Sequence, residues 1–111
     1  MVRHCDKLVR DRIPSIIEDN GDRPVTHVAD DESYERRLRE KLLEECEEYH
    51  EEPSLEELAD VMAVIEACLA HHGWTRTVLE DEKRRKRAAR GGFEDRIVLE
   101  AVHDGSDDES P

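Results

Sequence analysis

Residues 41–60 read KLLEECEEYHEEPSLEELAD, two acidic helix-forming runs broken at Pro53. The first run carries Glu44, Glu45 and Glu48, the second Glu57 and Asp60. Glu45 and Glu48 are spaced i,i+3, as are Glu57 and Asp60, so on a helix each pair projects from one face. Two neighbouring helices then aim four carboxylates at one spot. Charges gathered in this way repel unless a cation neutralises them, and hard oxygen ligands suit Mg²⁺, Mn²⁺ or Ca²⁺.

The apolar residues around the first run sharpen that reading. At about 100° per residue, Tyr34, Leu38, Leu42, Cys46 and Tyr49 form one stripe, and Glu45 falls inside it. Glu44 and Glu47 point away from the stripe and Glu48 lies at its edge. A carboxylate at the centre of a buried face is costly unless it is paired. Glu45 therefore has a task other than solubility, unless Arg10, Arg12 or another cation reaches it. In the second run Glu57 has Val61 and Val64 at i+4 and i+7, and Asp60 has Ala63 and Val64 beside it. Both helices are expected to turn carboxylates inward. The bland readings are that Glu57 completes a capping box with Ser54, that Asp60 pairs with an arginine, and that Glu48 is solvated.

Composition sets the frame. A chain of 111 residues suits one small domain. Its formal net charge of −13 argues against a nucleic-acid polymer as partner. Lys7, Lys41, Lys83 and Lys86 are the only lysines, among abundant Arg, Asp and Glu, a balance resembling that of proteins from a high-salt cytoplasm. Because such a composition multiplies acidic motifs by chance, the carboxylate argument rests on facing rather than abundance. The longest apolar run, Val61 to Ala70, is interrupted by Glu66, too short for a membrane span. The N-terminus lacks the apolar core of a signal peptide. Cys5, Cys46 and Cys68 show no C-x-x-C spacing and read as reduced thiols in a cytoplasmic protein, with Cys46 and Cys68 as small core residues.

Along the chain, Lys7 to Asn20 (KLVRDRIPSIIEDN) predicts a short helix entered at Pro14 and stopped at Asn20-Gly21. A long helix starts at Asp30 or Ser33 and ends near Glu51, before Pro53. Ser54 caps a second long helix that stops at Gly73. Thr75 caps a third, ending before Gly91-Gly92. Residues 24–29 (PVTHVA) and 96–102, containing IVLEAV, are β-branched and read as two strands of a short hairpin. Residues 103–111 have no apolar anchor and read as a disordered acidic tail. The fold class is thus mainly all-α, a helical bundle over residues 1–102. The apolar arc of Val61, Val64, Ile65, Cys68 and Leu69 is broader than one partner helix buries, which predicts a homodimer.

The third long helix is basic. Lys83, Lys86 and Arg90 share a face at i, i+3 and i+7, and Gly91-Gly92 would let backbone approach a ligand. Beside a metal site they read as a polyphosphate clamp; alone, the i,i+4 pairs Glu80/Arg84, Asp81/Arg85 and Glu82/Lys86 make a solvated face.

Taken together, Glu-Glu-x-x-Glu at 44–48 followed by Glu-x-x-Asp at 57–60 resembles the signature of the MazG-like all-α nucleoside triphosphate pyrophosphohydrolases. KLVRDRIP at 7–14, EELADVMAVIEA at 56–67 and KRRKRAARGGFEDRIVLE at 83–100 resemble one small house-cleaning branch of that superfamily. The resemblance covers nearly everything but the tail. It implies a dimeric or tetrameric helical bundle that hydrolyses a canonical or non-canonical nucleoside triphosphate to the monophosphate and pyrophosphate with Mg²⁺, or Mn²⁺ in its place. It carries the metal ligands onto Glu45, Glu48, Glu57 and Asp60. Glu44 matches the signature's first glutamate and would assist a second metal or position water. Glu44 or Glu48 would accept a proton, and Lys83, Lys86 and Arg90, joined by Lys7 and Arg10, would hold phosphates. The gap between the two motif halves is short compared with many relatives. The superfamily also includes phosphoribosyl-ATP pyrophosphohydrolase, an alternative activity. A non-catalytic acidic helical interaction module is the alternative of another class.

Overall fold

A computed structural model describes residues 1–107, and among them the regular structure is helical. Helices α1 (Ile13–Asp19), α2 (Asp31–Glu51), α3 (Leu55–His72) and α4 (Arg76–Arg90) follow one another, with a single 3₁₀ turn at Gly105–Asp107. The all-α class expected from the pattern is therefore found. The chain divides into two compact units, residues 1–76 and 77–111.

In the first unit the helix boundaries follow local chemistry. Asp30 caps α2, its Oδ1 accepting from the Ser33 amide at 2.8 Å. Ser54 caps α3, its Oγ accepting from the Glu57 amide at 3.1 Å. Each cap supplies an acceptor that the first helical turn lacks. The α3 end is a Schellman motif: Gly73, at φ 73°, donates to Ala70 and Trp74 donates to Leu69. A side chain at that backbone angle costs about 1–2 kcal/mol, which is why Gly73 stops the helix there.

Helices α2 and α3 pack against each other as an antiparallel hairpin across a three-residue link, and this contact makes the core. Leu38, 3% exposed, and Val64, 9%, are its buried apolar residues. Tyr34 and Leu42 are half-buried on the same side, and Tyr34 meets His71 edge-on at 5.3 Å. The expected stripe on α2 is shorter than its sequence pattern. Cys46 and Tyr49 are exposed, because Cys46 lies about 100° round the helix from Glu45 and Tyr49 sits in the last turns of α2. Cys68 is half-buried, and burial followed by the nearby Glu35 charge pushes its thiol up.

The hairpin of 24–29 and 96–102 does not form; no strand occurs among the described residues. Val25 and Val28 are 92% and 97% exposed, and Ile97, Val98, Leu99 and Val102 are all at least 77% exposed. The two segments belong to different units, and an extended segment without a ladder partner is not a strand. Of the expected tail, residues 103–107 carry the 3₁₀ turn, held by Asp104 Oδ1 accepting from the Ser106 amide, while 108–111 lie outside the described residues.

In the second unit, α4 is fringed by ion pairs at i,i+3: Lys83–Glu80 (3.4 Å), Arg84–Asp81 (3.0 Å) and Arg85–Glu82 (2.6 Å). The i,i+4 partners expected from sequence are not the ones used. Arg85 holds the Glu82 carboxyl below its usual range.

With so few buried apolar side chains, the hairpin depends on each. Leu38→Ala is expected to cost about 2–3 kcal/mol, read as a drop in the urea midpoint of the α-helical circular dichroism signal.

Candidate metal centre

The site is built where the last half of α2 meets the first turns of α3. Glu45 is the buried charged residue of the first unit, 7% exposed, on the same face as Leu38. It joins two clusters. Glu44, Glu45 and Glu48 can each offer one oxygen within 4.8 Å of the others, and so can Glu45, Glu57 and Asp60. All five acids singled out in the sequence therefore converge, and Glu45 is the member that ties α2 to α3.

Three cations partly satisfy them. Lys41 Nζ lies 3.1 Å from Glu45 Oε1 and 3.5 Å from Glu44 Oε1. Lys7 donates to the same Glu44 oxygen at 3.2 Å, and that carboxylate raises the Lys7 ammonium pKa. Arg10 donates to Asp60 Oδ1 at 2.8 Å. The expectation that Asp60 pairs with an arginine is thus met, alongside its place in the cluster. Five carboxylates against three cations leave two negative charges unanswered.

The deficit is visible in particular atoms. Glu45 Oε2 and Glu57 Oε2 are buried without a hydrogen-bond partner. Ser54 forms its own half of the capping box with the Glu57 amide, but Glu57 Oε2 is not consumed by it. The neighbouring Glu45 carboxylate pushes Glu48 above the usual carboxylate range, with desolvation and Glu57 adding to it. Glu57 is raised mainly by desolvation, then by Asp60 and Glu45. Desolvation and like charge both disfavour the ionised form. Either trio, all oxygen and net negative, could hold a hard divalent cation.

The N-terminal segment is held beside the site by a contact between residues far apart in the chain. Arg37, mostly buried on α2, donates to the Asp6 carbonyl at 2.9 Å and to Asp6 Oδ1 at 3.0 Å. Asp6 takes a φ of 42° there, and Lys7 follows onto Glu44. A cavity of about 180 Å³ lies beneath, lined by Asp6, Lys7, Leu8, Arg37, Glu40, Lys41 and Glu44. Lys41 was readable in principle, since it stands three and four residues before Glu44 and Glu45. The Asp6–Arg37 pairing, 31 residues apart, was not.

Of the expected phosphate ligands, Lys7 and Arg10 meet the carboxylates, whereas Lys83, Lys86 and Arg90 belong to the second unit. Gly91 has a local reason to be glycine. Gly91 ends α4 at φ 84°, and the Arg87–Glu94 ion pair (2.9 Å) crosses Gly92 where a Cβ would strike both side chains. Trp74 stacks on His72 at 4.4 Å, packing against the helix end as a surface anchor would. No family model matches this sequence, and no curated protein or solved structure does either.

The raised carboxyls set the sign of a pH effect. A group whose folded pKa is raised contributes stability below its unfolded pKa and loses it as pH rises through the folded value. Without added metal, the contribution of Glu48 and Glu57 is therefore lost just above the ordinary carboxylate range. Glu57→Gln is expected to raise the thermal midpoint in EDTA at about pH 7 and to change it little at about pH 4, measured by thermal denaturation at both values.

Proposed function

We propose that the protein hydrolyses a nucleoside triphosphate to the monophosphate and pyrophosphate, using a divalent cation held by Glu45, Glu48, Glu57 and Asp60. The observation that carries this reading is the pair of buried oxygens without donors, Glu45 Oε2 and Glu57 Oε2, on facing helices that remain two positive charges short. A solvated acidic surface has no such atoms. The arrangement is also the one implied by the resemblance to the MazG-like pyrophosphohydrolases, to which this chain is assigned as a proposal.

The bound Mg²⁺ or Mn²⁺ would supply charge neutralisation for an in-line displacement at phosphorus. The chain's own groups divide the remaining work. Glu44 has one oxygen shared between two lysines, so that oxygen is already engaged as an acceptor. Among the described residues Glu48 makes no ion pair, and the Glu45 carboxylate raises its affinity for protons, so Glu48 is the better acceptor for a proton from attacking water. Lys7 and Arg10 lie against Glu44 and Asp60, where they can pass from carboxylate to phosphate as substrate arrives.

The active form is a homodimer or a higher assembly of dimers. The cavity beside the site is smaller than the ~300 Å³ that a nucleotide-sized ligand requires. On α3, Leu55, Leu58 and Met62 are 84%, 43% and 41% exposed at i, i+3 and i+7. A second copy covering that stripe would bury it and wall the site. The free thiols of Cys5, Cys46 and Cys68 suit a cytoplasmic setting, and no helix among the described residues is long and apolar enough to cross a membrane.

A panel of nucleoside triphosphates and phosphoribosyl-ATP, incubated with Mg²⁺ in high potassium chloride, is expected to release pyrophosphate. Glu45→Gln and Asp60→Asn should each lower kcat by about 100-fold or more with the helical signal intact. Silence of the wild type across the panel would favour a non-catalytic interaction module. Light scattering should give twice the monomer mass or a multiple of it, and Leu58→Glu with Met62→Glu should return the monomer.

A further inference from the structure

The cations on the carboxylates are not equivalent. Lys7 and Arg10 have side chains 47% and 63% exposed, so each can turn into water at little cost. Lys41 differs. Its side chain is only 15% exposed, and it rises from the same helix as the two acids it meets. Its partner Glu45 has a side chain 9% exposed, one oxygen on Lys41 and the other without any partner. The ammonium therefore holds one oxygen of the very carboxylate that joins the α2 and α3 clusters.

We infer that Lys41 is a tethered counter-cation that competes with the divalent ion for Glu45. This rests on the metal reading above and adds its regulation. In the metal-free protein the ammonium supplies part of the missing positive charge and keeps Glu44 and Glu45 compatible with a packed helix pair. A divalent ion on Glu45 stands close to that ammonium, and the two positive charges repel in a poorly solvated site. The ion must displace the ammonium or bind against it. Lys41 already lines the cavity it shares with Glu40 and Glu44, so its side chain has open space beside it in which to turn. Tethering also makes the competition selective. A monovalent salt cation brings no more charge than the ammonium already in place, whereas a divalent ion brings twice as much. A protein bathed in concentrated monovalent salt thereby keeps its site for divalent ions. Two ligands that oppose each other are linked reciprocally, with couplings of about 5- to 150-fold.

The test is titration calorimetry with Mn²⁺ alone, no nucleotide present, on wild type, Lys41→Met and Lys41→Arg, paired with thermal melts in EDTA. Methionine keeps the hydrocarbon stem; arginine keeps the charge. Lys41→Met is expected to bind Mn²⁺ at least about fivefold more tightly while melting lower than wild type in EDTA, and Lys41→Arg should stay near wild type in both. If Lys41→Met will not fold without metal, the same comparison is made with Lys41→Gln refolded in Mn²⁺. Unchanged or weaker Mn²⁺ binding on loss of the charge would overturn the inference and leave the metal reading standing. Absence of Mn²⁺ binding by wild type and Lys41→Met alike would overturn both. Pyrophosphate release plays no part in the outcome, so a failed activity assay does not touch it.

Discussion

The carboxylate of Glu45 is the constraint around which the first unit is arranged. It sits on the face of α2 that also buries Leu38, within reach of acids from both long helices. A charge in that position destabilises the fold unless something answers it. Lys41 answers one oxygen and nothing answers the other. The small core on either side cannot hide this, since Leu38 and Val64 are its buried apolar members. The hairpin of α2 and α3 thus gives up apolar contact at its most buried polar position.

The cations around the cluster turn an acidic patch into a graded one. Glu44 is shared by Lys7 and Lys41, Asp60 is held by Arg10, and Glu48 and Glu57 are left with raised affinity for protons. Carboxylates of one type thereby acquire different surroundings through their neighbours alone. The Arg37–Asp6 clamp is what delivers the N-terminal segment to this place. It links the first residues of the chain to the middle of α2, so the site is assembled from three separate stretches of sequence.

Much of the helical frame was legible because its signals are local. Asp30, Ser54 and Gly73 act within one turn of their own position, and each does what its residue type predicts. The inward facing of Glu45 followed from helical periodicity, which needs no knowledge of the partner. The reading went astray where a partner was needed. Residues 24–29 and 96–102 have the β-branched content of strands, but a strand exists only by hydrogen bonding to another, and neither has one. Cys46 and Tyr49 continue the apolar spacing of α2 and are nevertheless exposed. On α4 the choice of i,i+3 over i,i+4 pairs is one of side-chain rotamer, to which spacing is blind.

The amino-acid order by itself determined that this chain is helical, where its two long helices begin and end, and that four acids, Glu45, Glu48, Glu57 and Asp60, would share one neighbourhood. Caps, breakers and periodicity act over a few residues, and that range is enough. Only the tertiary structure decided which cation meets which acid, and which oxygens are left over. Those outcomes depend on Lys7 meeting Glu44 across 37 positions and Arg10 meeting Asp60 across 50, distances in sequence over which no local preference reaches.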